Sequence, residues 1–500
     1  MAATAILLPP TTPPDYFRIV SPSFAVPNDP QVPIPVGILA CQRDPLLREI
    51  ETNVISCSVY QPPPPNKKSK NAVSAPSLPN KPILLINLHD TVLFPEGGGQ
   101  PTDTGIIVAE GRDWEVVQVK RHGAQAVHYV VVDQEDVGLS VFSPGAKVTA
   151  RLDAQGWDRR YDHMSMHTSQ HLLSALLESR LNIPTLSWSL TNFPSFCYVE
   201  LPRAISQSEI QLIQDEANRL VFEGRKVHVE VEELDWSSEK EAPTLENGRA
   251  VGKALPKDYT GGVKRVIVIE GVDKNPCCGT HLPSISNLQL FLLPQTESLS
   301  RANSTSTRLH FLCGPRLIAH LTTTQRLLSE TGSILSCGAP LVPERVAQVA
   351  DERKRAEKRV NDLEIELAKS VSRGLIDEAI KTTQGSSFKK YVPRMDDGNA
   401  LGLLSAIVFA FTADVAEQNL RTPYLVIISS TPSSQTTSST TLIMVFGSDD
   451  ELVKKACNLL KERLNVKGGG KGRWSGKYTG VWREGKEAKV IEDLLENLNN

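Results

Sequence analysis

Four side chains in two short motifs could together hold one metal ion. His167 and His171 stand four residues apart in HTSQH, and Cys277 and His281 stand four apart in PCCGTH. On a helix, residues at this spacing share a face with Cβ atoms about 5–6 Å apart, so both imidazoles can reach one ion. Imidazole nitrogen and thiolate sulfur are donors that suit zinc, which takes them in tetrahedral sets. Pro276 and Gly279 favour a tight bend around the second pair. Either pair alone is a weak signal; the two within one domain predict zinc binding. His163 is a third histidine at the same spacing, expected at the start of the helix, behind the ligands or at the surface. Cys278 competes with Cys277, and spacing does not choose between them. Position 168 is threonine, so the HExxH glutamate of zinc proteases is absent. The competing reading is a purely structural zinc, although no paired CxxC knuckles occur.

These residues need elements to position them. The apolar spacing predicts a helix over His163–Arg180, closed by Asn182 and Pro184. Ser206 and Glu209 form a capping box before a second amphipathic helix reaching Phe222. Lys226–Leu234, Val263–Ile269 and Leu288–Leu293 read as strands. The result is an α+β domain over 156–314. Ahead of it, Ile83–Asn87, Trp114–Val119, His128–Val132 and Ala146–Leu152 are short strands separated by glycine-containing turns. They predict a small β-barrel over 36–155. Beyond it, Gly314–Ser336 and Val342–Leu375 read as helices. Ala356, Val360, Leu363 and Leu367 make a coiled-coil-like seam, so 315–372 is expected to form a helical hairpin arm. A helix over Leu401–Ala416, strands over Tyr424–Ser430 and Leu442–Phe446 and a helix over Asp449–Leu464 make 373–500 a C-terminal α/β domain. The fold class is therefore α+β and multidomain.

Composition sets the outer limits. The 500 residues are 40% hydrophobic and 22% charged with a net charge of -3, which excludes a wholly disordered chain or a coiled-coil fibre. No run of about 18 apolar residues is apparent, so no membrane span or membrane partner is expected. Of 34 prolines, 18 fall in residues 1–100. Residues 1–35 read as a disordered tail, and 61–82 as a disordered insertion in the barrel. Eight cysteines without repeating spacing suggest reduced thiols. With no basic leader at the start, a cytoplasmic location is expected.

At this point three motifs carry a resemblance. LHDTVLFPEGGGQPTDTG (residues 88–105), the HTSQH helix and NPCCGTHLPSISNLQ together resemble the alanyl-tRNA editing proteins, and the editing domain of alanyl-tRNA synthetase. CQRDPLLREIETNVISC (residues 41–57) and GKGRWSGK near the C-terminus make the chain most similar to the long eukaryotic type, over about residues 36–500. Only about 155 residues precede the histidine helix, too few for an aminoacylation domain. The resemblance implies an editing domain of the threonyl/alanyl-tRNA synthetase type and one zinc held by His167, His171, Cys277 and His281. This settles the choice against Cys278. It further implies that Gly97, Gly98, Gly99 and Gln100 line an amino-acid pocket; a tight hairpin turn is the plainer reading of the same residues. Gln170 stands where synthetase editing domains often have threonine. The implied activity is hydrolysis of the ester of mischarged tRNA(Ala), chiefly Ser-tRNA(Ala). An apolar synthetase pocket rejects an added hydroxyl poorly, and a second site can hydrolyse the error. No catalytic side chain is identified: a zinc-bound water is the expected nucleophile, unless zinc mainly orients the substrate.

Residues 454–489 hold 11 Lys/Arg against 3 Asp/Glu. Within them VKGGGKGRWSGKYTG offers Lys471, Arg473 and Lys477 as phosphate contacts for tRNA; the plainer reading is a solvated basic loop. The rival to a deacylase is a non-catalytic tRNA-binding or adaptor protein with a structural zinc. Editing of a different mischarged tRNA, of the threonyl type, is a third reading.

Overall fold

Alternating burial closes the first part of the chain into a barrel. Its six antiparallel strands follow in the order Glu49–Val59, Ile83–Leu88, Gln125–Val131, Arg112–His122, Gly105–Ala109 and Lys147–Arg151, with the last pairing back to the first. Leu84, Ile86 and Leu88 point inward on one strand, Ile107 and Ala109 on another. This period-two pattern is what a sheet with one packed face requires. The structure, a computed structural model, describes residues 11–62, 79, 81–233, 263–299, 306–383, 386–398, 400–470 and 473–498. The predicted insertion falls almost wholly outside the described residues.

The barrel leads directly into the helix Ala154–Leu181. Asp153 caps it by accepting the amide of Gly156 at 2.8 Å, and Asn182 ends it in the left-handed region. It therefore begins well before His163, which sits mid-helix and only 1% exposed, neither at a helix start nor at the surface. Apolar periodicity missed the first turns because they bury charge: Arg160 is fully buried and ion-paired with buried Asp103. The capped helix Gln207–Glu223 has the predicted capping box of Ser206 and Glu209.

Two sheets flank these helices. One orders Phe17–Ile19, Val227–Glu233, Val263–Ile269 and Asp273–Pro276; the other runs Phe291–Leu292, Thr307–Cys313, Cys197–Leu201 and Ser187–Ser189, with Thr296–Ser298 also on Thr307–Cys313. The expected strand Leu288–Leu293 is broken: a 3-10 turn over Ile285–Leu288 precedes the two-residue strand. One continuous core joins barrel, helices and sheets, from Tyr16 to Cys313.

The expectation of a disordered tail over 1–35 needs correcting for its described part. Phe17–Ile19 pairs in parallel with Val229–Val231, and Tyr16 and Ile34 are 1% and 2% exposed. The prolines that suggested disorder suit an extended strap, and its few large apolar side chains supply the burial that offsets ordering.

By contacts the chain divides into two units, 1–328 and 329–500, the boundary falling inside the helix Gly314–Ile334. In the second unit, the strands Phe388–Met395, Tyr424–Thr431, Thr440–Gly447, Arg473–Thr479 and Lys467–Gly469 form one sheet in that order. Ile376, Leu404 and Phe411 pack with Val426 and Ile428, while Ala456, Leu460 and Ile491 pack with Leu425 and Ile427. Alternate residues of one strand thus feed two helical layers. The helix Ala400–Glu417 is long and apolar enough to cross a membrane by length and composition, contrary to the sequence reading. Its buried face, including Leu403, Ile407 and Phe411, belongs to the core of this sheet. The seam predicted on the long helix Val342–Ile380 is uncovered: Val360, Leu363 and Leu367 are exposed.

Candidate metal centre

The two motifs meet. Ligand atoms of His167, His171, Cys277 and His281 all lie within 4.8 Å of one another, and all four residues are buried. His167 and His171 share a face of Ala154–Leu181, as their spacing requires. Cys277 follows directly on the strand Asp273–Pro276, and the chain then turns so that His281 comes back to it, with its Nε2 3.3 Å from Cys277 Sγ. Gly279 permits that turn: a Cβ there would collide with the His167 ring.

Each imidazole is held by its other nitrogen. His171 Nδ1 donates to Asp273 Oδ2 at 2.9 Å, and His167 Nδ1 donates to Gln100 Oε1 at 3.0 Å. The Thr168 hydroxyl donates to Met164 O at 2.9 Å, so its oxygen is left to accept from His281 Nδ1 at 3.4 Å. All three rings are thereby fixed with Nε2 turned towards the cluster, where a bound ion would take the place of the Nε2 proton, the orientation that outer partners impose on zinc histidines. His167 Nε2 lies 3.4 Å from Cys277 Sγ. Burial opposes ionisation of Cys277, but the charges of His167 and His281 and hydrogen bonds from His167 and His171 prevail, so its thiol sits well below the usual range. A buried thiolate facing three imidazoles fits zinc by donor type and number.

Cys278 lies outside this set. Burial and the neighbouring Cys277 charge push its thiol up to about 12. His163 also lies outside the set. Three residues from other elements secure the turn. The buried Tyr16 hydroxyl donates to His281 O at 3.0 Å, Gln42 Nε2 donates to Cys278 O at 2.5 Å, and Arg265 Nη1 donates to Cys277 O at 2.8 Å. Asp273, which holds His171, makes a fourth residue that the sequence reading did not single out. All four are remote from both motifs or sit on a strand with no periodic mark, and only Gln42, inside the CQRDP segment, had any sequence signal.

The glycine segment is indeed a tight turn: Gly97 and Gln100 exchange backbone hydrogen bonds of 3.0 and 3.1 Å, and Gly98 and Gly99 have φ of 62° and 78°. It sits on the cluster. A Cβ on Gly98 would fall 3.7 Å from Cys277 Sγ and 3.1 Å from Cys278 Sγ, and one on Gly99 would collide with the Trp188 indole. Gln100 is buried; besides holding His167, its Oε1 accepts from Thr280 N at 3.0 Å and its Nε2 donates to Thr280 Oγ1 at 2.8 Å. Trp188 Nε1 and Gln170 Oε1 are buried without a hydrogen-bond partner among the described residues.

Comparison with known proteins finds relatives over most of the chain. Residues 265–310, which carry Cys277 and His281, match the family described as threonyl and alanyl tRNA synthetase second additional domain. The chain is 30% identical to alanyl-tRNA editing protein Aarsd1-B of Xenopus laevis, over 92% of this chain and 98% of that protein. A Saccharomyces cerevisiae protein named alaX is 31% identical over 94% of this chain and 98% of its own. The chain belongs to the alanyl-tRNA editing proteins. Alanine–tRNA ligase of Pyrococcus abyssi is also similar, 29% identical over 83% of this chain but only 41% of the ligase. This editing protein thus spans less than half of such a ligase.

Of the residues expected to contact tRNA, Lys471 lies outside the described residues. Arg473 and Lys477 are exposed on the strand Arg473–Thr479. The glycine-rich segment forms a paired β-hairpin here, with Lys467–Gly469 against Arg473–Thr479. Gly476 is needed for packing, since a Cβ there would collide with the Trp474 ring, and Arg473 stacks 4.3 Å from the centre of the Phe409 ring.

Proposed function

We propose that this protein is a trans-editing deacylase that hydrolyses the ester of mischarged tRNA(Ala), chiefly Ser-tRNA(Ala), using one zinc per chain held by His167, His171, Cys277 and His281. The observation that carries the reading is the convergence of three Nε2 atoms on the Cys277 thiolate directly beneath the Gly97–Gln100 turn. Zinc bound there would supply Lewis-acid charge at the ester and favour deprotonation of water near neutrality.

The protein's own residues do the rest. Asp273, Gln100 and Thr168 hold the three rings in the ligating orientation. The side-chain-free turn lets backbone approach the aminoacyl group, and the indole N–H of Trp188 and Oε1 of Gln170 offer an unused donor and acceptor for a polar amino acid. In the net reaction, water oxygen bonds to the carbonyl carbon, the ribose oxygen leaves with a proton, and serine and tRNA are released. We assign the chemistry to 36–314, tRNA contact to Arg473, Lys477 and Lys471 in 373–500, with a linking arm over 315–372, in a cytoplasmic protein.

Deacylation of Ser-tRNA(Ala), Gly-tRNA(Ala) and Ala-tRNA(Ala) by purified protein, before and after chelation, tests the reading. Loss of seryl ester that stops on chelation supports it. Tight tRNA binding with no hydrolysis at any metal loading would instead identify an adaptor with a structural metal.

A further inference from the structure

Two stretches of chain run side by side from the metal cluster along the helix Ala154–Leu181. The first descends from the glycine turn: Gln100 meets His167, Thr102 O accepts from Arg159 Nε at 3.0 Å, and a Cβ on Gly156 would press on Thr104 O. The second begins at Trp188, beside Gly99, and reaches Asn192, whose Oδ1 accepts from Arg159 Nη1 at 3.1 Å. Where they end, a cavity of about 820 Å³ is lined by Thr104, Trp157, Tyr161, His163, Asn192 and Phe193, among others. Along the helix, at 1.5 Å per residue, its walls lie roughly 6 Å (His163) to 15 Å (Trp157) from His167. Phe193 is 53% exposed, and the rings of Trp157 and Tyr161 lie 6.0 Å apart between centroids. Buried beside these rings, His163 Nδ1 has no hydrogen-bond partner among the described residues.

An orphaned polar atom inside an aromatic cavity points to a ligand that is flat, apolar on its faces and polar at its edge. Charge narrows the class. Asp162 is committed to Arg316 at 2.6 Å, and Asp158 and Arg159, which both line the cavity, carry opposite charges. The cavity therefore lacks the excess positive charge a polyphosphate needs. A nucleoside matches all of these features, and stacking on aromatic rings is the usual way proteins hold an unpaired base.

We propose that this cavity seats the terminal adenosine of the substrate. The base stacks on Phe193 and the Trp157–Tyr161 pair, its edge meets His163 Nδ1 and Asn192, and the esterified ribose points along the seam to the cluster. The assignment rests on the deacylase reading for the identity of the nucleoside, but not for the cavity's chemistry.

Free adenosine, with cytidine as control, is the direct probe, titrated by ligand-observed NMR into the full chain. Adenosine should bind more tightly than cytidine. Phe193→Leu, which keeps an apolar side chain but removes the ring, should weaken adenosine about tenfold. His163→Leu should weaken it too without lowering Tm, because it deletes an unpaired buried polar atom. In parallel, both variants should raise KM for Ser-tRNA(Ala) and leave kcat near wild type. No adenosine binding, equal binding of cytidine, or wild-type affinity in both variants overturns the assignment, even if the wild type deacylates. Adenosine binding that depends on Phe193, in a protein that hydrolyses no aminoacyl-tRNA, upholds a nucleoside site and overturns the deacylase reading alone.

Discussion

The four-ligand cluster and the basic C-terminal hairpin are both built from short, recognisable motifs, yet they are held in opposite ways. In the cluster every ligand is buried, and each imidazole is tied through its second nitrogen to a different element. In the hairpin the backbone is paired while Arg473 and Lys477 stand out from it. Chemistry at an ion needs fixed atoms, so it recruits residues from all over the first unit. Contact with a polyanion needs only charge at the right surface, so the fold pairs the backbone and presents the side chains outward, Lys477 exposed and Arg473 against the Phe409 ring. Substitutions should therefore act steeply and locally at the cluster, but shallowly and with salt dependence at the hairpin.

The steepest expected effect is at the thiolate. Cys277→Ala removes the only sulfur ligand; metal content should fall far below one per chain and single-turnover deacylation by on the order of 10³-fold, while tRNA affinity stays near wild type. Metal analysis and rapid-quench rates on the same preparation check both. Retained metal with full activity would mean that Cys278 or His163 ligates after all.

Next comes the shell around the ligands. Asp273→Asn replaces the carboxylate that receives the His171 proton, and metal affinity should fall about 10–100-fold in competition with a chelator. Unchanged affinity would break the claim that the cluster is held more tightly than its four ligands alone would hold it. Tyr16→Phe should cost about 1–2 kcal/mol in denaturant unfolding, since the carbonyl of buried His281 loses its donor. An equal melt would mean that the N-terminal strap does not help to hold the cluster.

These residues also mark the limit of what sequence reveals. The four cluster residues are legible because a site able to hold one ion calls for a four-residue spacing on a helix and another across a turn. The capping box at Ser206 and Glu209, and most strands and helices of the second unit, are legible because caps and apolar periods are local. Tyr16, Arg265 and Asp273 are not, because each acts across the fold on a backbone carbonyl or a ring nitrogen and leaves no local pattern. The early turns of the helix Ala154–Leu181 were hidden for a related reason. Arg160 reads as a surface residue until Asp103, itself buried, is seen beside it.

The smallest effect belongs to the hairpin. Arg473→Gln with Lys477→Gln should weaken tRNA binding modestly and lower the slope of log affinity against log salt by about 1 for each lost phosphate contact. Turnover at saturating tRNA should stay close to wild type. Binding indistinguishable from wild type at every salt would reduce these side chains to solvated charge; normal binding with slow turnover would tie the hairpin to the chemistry itself.

The central claim is that a zinc held by His167, His171, Cys277 and His281 serves hydrolysis of a mischarged ester. The most direct measurement is the first-order loss of seryl ester from Ser-tRNA(Ala) with apo protein to which zinc is returned stepwise. The account predicts a rate that rises linearly to a plateau at one zinc per chain and that is far lower on Ala-tRNA(Ala). A rate that is the same in apo and zinc-loaded protein, or equal on seryl and alanyl esters, would contradict it.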